Sequence, residues 1–205
     1  MANFSYLIVD GQTKEALYVD PGWESEKVIG VAKTHDWKIT GIVVTHFHYD
    51  HNKALPEAWS CLRVPVYLPS GEGESVNEPH YQTRWMQEGT AIFVGKTEVK
   101  CLSMPGHTLN EICLLVGKHL LTGDVLFVDG CGRVDLPGSD PEKMFGSLKR
   151  LSAMSDDIII YPGHDYGPTP TDTLGHQKKT NPYLMAAARG KVDFFGARGV
   201  PPAGV

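Results

Sequence analysis

At 205 residues the chain is long enough to bury a core without covalent or metal staples. Its 41% hydrophobic and 21% charged residues are those of an ordinary soluble globular protein, expected here as a single domain over residues 1–205. A net charge of -5 offers no basic field to a phosphate backbone, which argues against nucleic acid as a partner.

The opening "MANFSYLIVDGQTKE" lacks a positive n-region, and no apolar run approaches a membrane-spanning length, so no membrane partner is expected. "FSYLIV" and "ALYV" read as a strand pair around the turn "DGQTKE". After "DPG", Ser25 is placed to cap a helix with Val28, Val31, Ala32 and His35 on its apolar face. "ITGIVVT" is a continuous apolar run, as for a strand covered on both faces. "NKALPEAW" begins a short helix and "VPVYL" returns as a strand. Residues 69–90 have no period and read as a functional rim or a mobile excursion. "AIFV", "TEVKCLS", "EICLLV" and "HLLT" are strands. Asp140 as N-cap and Pro141 at N1 then start a helix striped with Met144, Phe145, Leu148 and Leu151. "DIIIY" is a last buried strand before a polar, Pro-rich tail. Residues 189–205, with Phe194 and Phe195 among glycines and prolines, read either as a docking segment or as a flexible tail. Cys61, Cys101, Cys113 and Cys131 form no CxxC pair and read as reduced thiols, which points to a cytoplasmic location.

Chemistry concentrates where strands end. "GIVVT" is followed by His46, His48, Asp50 and His51, "VKCLSMPG" by His107, "HLLTG" by Asp124 and "IIIYPG" by His164. Strand ends are where α/β folds place their sites. Glycine directly precedes three of these ligand-type residues, at Gly106, Gly123 and Gly163, and allows a sharp turn or a close backbone approach. Five imidazoles and two carboxylates suit divalent zinc, iron or manganese. Seven ligands exceed the need of one tetrahedral ion. Two ions, about 3.5–4 Å apart and with room for a bridging hydroxide, would use all of them. His46, His48 and His107 would serve one ion and Asp50, His51 and His164 the other, with Asp124 bridging. His35, His80, His119 and His176 read as ordinary core or surface histidines.

H-x-H-x-D-H at 46–51, "PGHT", "TGDVLF" and "PGHD" resemble the metallo-β-lactamase superfamily along nearly the whole chain. The resemblance implies an α/β fold, the αββα four-layer sandwich, with the seven metal positions as above and Asp20 of "VDPG" as a structural aspartate. "TGDVLFVDGCGRVDLPG" and "YPGHDYG" look most like the glyoxalase II (hydroxyacylglutathione hydrolase-type) branch and are also similar to persulfide dioxygenases. In that likeness Arg133 holds the anionic end of a substrate, Tyr166 lines the same pocket, and Asp135 completes an R-x-D pattern. The alternative for Arg133 and Asp135 is a loop salt bridge, and for Tyr166 a packed aromatic. Asn52-Lys53-Ala54 stands where glyoxalase II enzymes carry two glycines, and Lys53 reads as a solvated helix residue. Only 41 residues follow His164, too few for the helical domain that grips glutathione in full-length glyoxalase II.

Three functions compete on these grounds. The first is a binuclear thioester hydrolase in which a metal-bridging hydroxide attacks the acyl carbon and Asp50 orients it, acting on a small-molecule thioester such as hydroxyacylglutathione. The second is a dioxygenase with a single Fe(II), bound for instance by His46, His107 and Asp124, acting on a persulfide. The third is a non-catalytic metal module, disfavoured because closed structural zinc sites prefer cysteines. The oligomeric state and the thiol carrier are left open by the sequence.

Overall fold

The computed structural model describes residues 2–71 and 81–199, which fall into two compact units, residues 3–102 and 103–199. The strand and helix signals of the sequence are largely realised in the first unit. Strands β1 (Tyr6–Val9) and β2 (Glu15–Val19) pair antiparallel around the "DGQTKE" turn. Helix α1 (Ser25–Thr34) crosses to β3 (Lys38–Val43), which lies parallel to β2. The one-turn α2 (Tyr49–Asn52) and α3 (Leu55–Leu62) lead to β4 (Val66–Pro69) and then β5 (Arg84–Met86), both parallel. The sheet order is β1-β2-β3-β4-β5. A hairpin of β6 (Ala91–Val94) and β7 (Thr97–Ser103) completes the unit.

One face of this sheet is a hydrophobic cluster. Ala16, Tyr18, Ile42, Val44, Val66 and Leu68 alternate along the strands and meet Ile29 and Ala32 of α1 and Leu55, Ala58 and Trp59 of α3. Leu17, Val19 and Val43, pointing the other way, are also buried, which accounts for the continuous apolar run in β3.

Two details of α1 differ from the sequence reading. Glu24, in the left-handed region at φ 49°, occupies the N-cap position. Ser25 is buried and its Oγ donates to the Ala54 carbonyl at 3.2 Å, so it ties α1 to α3 instead of capping. Of the expected face, Ala32 is buried beside Ser25 and Ile29 and Val28 packs partly buried against the cluster, whereas Val31 is 49% exposed and His35 is exposed too.

Asp10 staples the two turns of this unit together. Its carboxylate accepts from the backbone of Gln12 and Thr13 in the β1–β2 turn and of Lys96 in the β6–β7 turn, and from the Thr97 hydroxyl, all at 2.9 Å. The Thr13 amide and Thr97 hydroxyl hold it well below the usual carboxylate range. A depressed folded pKa gives stability that is complete above the unfolded value, about 4, and is lost as pH falls through the folded one. The urea midpoint of Asp10→Asn is therefore expected to lie below wild type at pH 7. That gap should close progressively below pH 4.

In the second unit β8 (Ile112–Val116) and β9 (His119–Gly123) are antiparallel. After the small hairpin β10 (Leu126–Phe127) and β11 (Gly130–Cys131) comes α4 (Pro141–Ser152). β12 (Ile159–Pro162) returns parallel to β9, and β13 (Asp172–Thr173) pairs antiparallel with β12. Asp140 caps α4 as its residue type requires, accepting from the amides of Glu142 and Lys143. Met144, Leu148 and Leu151 of its stripe are fully buried.

The region read as a polar tail contains three helices: α5 (Leu174–Thr180), α6 (Pro182–Arg189) and α7 (Lys191–Arg198). Residues 191–198 are thus a packed helix and not a flexible tail. Phe194 and Phe195 are buried, and Phe194 meets Phe145 of α4 at 5.8 Å between ring centroids. Residues 72–80 of the expected rim, including His80, and residues 200–205 lie outside the described residues. Among the described residues no helix is long and apolar enough to cross a membrane.

Candidate metal centre

In the first unit, β3 runs into Thr45 and His46, and α2 presents Asp50 and His51 one turn later. The ligand atoms of His46 and His48 lie within 4.8 Å of each other, as do those of His46 and His51 and those of Asp50 and His51. His46 and His51 are buried, at 4.2 Å between ring centroids. Asp20, at the end of β2, organises this group from behind. It sits in the left-handed region at φ 52°, a costly conformation for a residue with a side chain. Its Oδ1 accepts from the Thr45 amide at 2.7 Å, and its Oδ2 accepts from the Thr45 hydroxyl at 2.8 Å and from Nδ1 of His51 at 3.0 Å.

These bonds decide which nitrogen of each ring is available. His51 gives its Nδ1–H to Asp20, so its Nε2 carries the lone pair. The Thr45 hydroxyl, already donating to Asp20, accepts from Nδ1 of His46 at 3.1 Å, which leaves Nε2 of His46 as an acceptor too. Gly22 allows the close approach: a Cβ there would stand 1.9 Å from the Asp50 carbonyl oxygen.

The second unit repeats the logic with different parts. β9 and β12 end in register, with Pro162 opposite Gly123 and the Gly163 amide donating to the Gly123 carbonyl at 2.7 Å. Asp124 and His164 therefore emerge side by side. Nε2 of His164 lies 3.1 Å from Oδ2 of Asp124, and Nε2 of His107 lies 3.4 Å from the same oxygen. Nδ1 of His107 donates to the Arg133 carbonyl at 2.9 Å. Gly106 lets the His107 turn press on α4, where a Cβ would meet Met144 Cα at 2.4 Å. The fully buried Glu111 accepts the Asp124 amide at 2.6 Å and fixes that turn.

The donor set fits a divalent ion. Imidazoles with Nδ1–H committed to a carboxylate, a hydroxyl and a carbonyl present Nε2 outward, the arrangement that orients histidines on a metal. A carboxylate oxygen 3.4 Å from such a nitrogen, as Oδ2 of Asp124 is from Nε2 of His107, sets lone pair against lone pair, and a cation relieves that repulsion. The thiols compete poorly. Burial pushes Cys101 up to about 12 and Cys131 up to about 11, and all four cysteines are free.

The remaining predicted residues are placed as follows. Tyr166 stacks on His164 at 4.5 Å with rings 3° from parallel, and remains 58% exposed. Arg133 and Asp135 form an exposed fork, Nε to Oδ1 at 2.9 Å and Nη2 to Oδ2 at 2.8 Å, which is the loop ion pair weighed as their alternative. This pair holds Asp135 down at about 2. Lys53 does not simply extend into water: its Nζ lies 4.5 Å from the Trp23 ring centroid and 5.2 Å from that of Tyr49. His35 stacks on Trp37, His119 bonds the Tyr161 hydroxyl and His176 pairs with Asp172, so each is accounted for structurally. The sequence reading passed over Thr45, Glu111, Asn3 and the Arg133 carbonyl. Of these only Thr45 carried a signal, as the residue between a buried strand and the first histidine.

The metallo-beta-lactamase superfamily profile matches residues 1–164. The probable polyketide biosynthesis zinc-dependent hydrolase PksB of Bacillus subtilis (strain 168) is 31% identical over 189 residues, 89% of this chain and 82% of that protein. A hydroxyacylglutathione hydrolase of Polaromonas sp. (strain JS666 / ATCC BAA-500) is 37% identical over 172 residues, 80% of this chain but only 62% of the relative's own length. Among solved structures, ETHE1 from Myxococcus xanthus superposes with a TM-score of 0.85 at 28% identity, covering 97% of this chain and 85% of that one. The chain belongs to the metallo-beta-lactamase superfamily.

Proposed function

We propose that the two clusters serve one binuclear centre and that the protein hydrolyses thioesters. The observation that carries this reading is the commitment of Nδ1 in His46, His51 and His107, which reserves their Nε2 atoms for ions. His46, His48 and His107 would hold one ion, Asp50, His51 and His164 the other, and Asp124 would be shared. When bound, such ions lower the pKa of water from 15.7 to about 7 and polarise an acyl oxygen.

The chain's own residues supply the rest. Asp50 accepts a hydrogen bond from the attacking water and aims it. Arg133 spends one edge of its guanidinium on Asp135 and by donor count keeps a second fork for an anionic substrate group. The exposed Tyr166 ring, held flat on His164, walls the acyl side. A departing thiolate needs no strong general acid, since free thiols have a pKa near 8.5.

The hydroxyacylglutathione hydrolases and the zinc-dependent hydrolase among the relatives support a hydrolase. The ETHE1 likeness supports a second reading, persulfide dioxygenation at a single iron. Metal analysis of chelator-free protein, with lactoylglutathione hydrolysis and oxygen uptake on glutathione persulfide, separates them. Two ions per chain with thiol release is the expected result. One iron with oxygen uptake would overturn it.

A further inference from the structure

Asp50 stands on a helix of a single turn, too short for packing alone to fix a side chain. Its orientation comes from a residue far away in sequence. Nδ2 of Asn3 donates to Oδ2 of Asp50 at 2.8 Å and to the Asp50 carbonyl at 3.2 Å. At the other end of the same amide, Oδ1 of Asn3 accepts from the indole Nε1 of Trp23 at 3.3 Å. One end of the amide must donate twice and the other must accept, so only one of its two flips satisfies the network.

We propose that Asn3, oriented by Trp23, is a positioning residue that sets the Asp50 carboxylate for its ion and for the attacking water. The proposal rests on the reading of Asp50 as a ligand. An amide suits the task because it is a neutral donor. It takes up one lone pair of Oδ2 and steers the carboxylate without cancelling the charge that attracts a cation, which a lysine or arginine in its place would do. Both partners are half-buried and border a groove of about 660 Å³ together with Phe4, Ser5 and Lys27. Removing the Asn3 amide therefore opens no core cavity. The neighbouring chain keeps its own anchors, the bond from Ser5 Oγ to the Asp20 carbonyl at 2.5 Å and the pairing of β1 with β2.

The test uses the full-length chain with zinc alone as the probe. Asn3→Ala, Trp23→Phe and the double variant are compared by competition with a chromophoric chelator, and then by kcat and KM on a thioester. Asn3→Ala is expected to weaken binding of one of two zinc ions by about 10- to 100-fold, the usual effect of losing the partner that orients a ligand. Its kcat should fall by a similar factor while KM stays within about twofold, since ground-state binding is untouched. Trp23→Phe should give a smaller loss in the same direction and no further loss once Asn3 is gone. Such non-additivity marks action through the amide, whereas mere packing would add. Wild-type zinc affinity in Asn3→Ala, or additive losses in the double variant, overturns the proposal. If Asn3→Ala does not fold, Trp23→Phe decides alone: unchanged zinc affinity refutes it. A wild-type chain that binds two zinc ions but cleaves no thioester would sink the functional reading and leave this inference standing on the affinity data.

Discussion

Asp124→Ala is expected to shift the melting temperature in opposite directions with and without metal. In chelated protein the buried carboxylate is a liability: only 5% of the residue is exposed, and Oδ2 faces two imidazole nitrogens at 3.1 and 3.4 Å. Burying a carboxylate carries a desolvation cost, which the alanine removes. The metal-free variant should therefore melt no lower than metal-free wild type. With zinc present at about 100 times the wild-type dissociation constant, wild type gains about 2.7 kcal/mol that the variant forgoes. For a chain of this size that amounts to about 5–11 °C. Ion content should fall from two to one or none per chain. Hydrolysis should fall by well over 100-fold, since even groups one step removed from the ion are worth 10- to 100-fold. A variant that retains both ions would show that Asp124 is not shared between them.

Gly132→Ala should be the most damaging single methyl group in the second unit. Its Cβ would stand 1.9 Å from the Asp124 carbonyl oxygen and 3.0 Å from Cβ of His107. The obstacle is backbone, so no rotamer change relieves it, and the hairpin β10–β11 cannot retreat. Asn181, itself buried, donates to the carbonyls of Phe127 and Gly130, and Gln177 accepts from the Asp129 amide. Overpacking of this kind costs about 3 kcal/mol, or about 6–12 °C in melting temperature. It should also weaken zinc binding, because the displaced chain carries the Arg133 carbonyl that orients His107. Gly130→Ala is the control in the same hairpin. Its Cβ would find only the Phe127 side chain at 3.6 Å, an ordinary contact, and its melting temperature should move little. Equal losses in the two variants would mean that hairpin flexibility, and not the approach to Asp124, sets the cost.

Much of the candidate site was legible because its ligands are announced locally: a buried strand, a glycine or threonine, then a histidine or aspartate. What supports the ligands was not legible. Asn3 reaches Asp50 across 47 positions and Glu111 reaches Asp124 across 13, and such partners are chosen by tertiary proximity without any spacing rule. The α1 reading failed at the cap, since Ser25, a good capping residue by type, was worth more to the fold as a buried bridge to Ala54. The C-terminal helices were missed although their signal was present. Asn181-Pro182 starts α6 with the same cap-then-proline grammar that identified α4 at Asp140-Pro141, and Asn181 accepts from the amides of Tyr183 and Leu184. Surrounding glycines, prolines and threonines and the shortness of α5 to α7 masked it.

The bonds from Asn181 and Gln177 to the β10–β11 turn give residues beyond the superfamily match a part in the chemistry they never touch. They act as a brace: the last helices clamp the ribbon, the ribbon carries the Arg133 carbonyl, and that carbonyl points the imidazole of His107. Exchanging this C-terminal segment for that of a relative would then retune the first residue of "HTLNE" from a distance, even if every ligand stayed as it is.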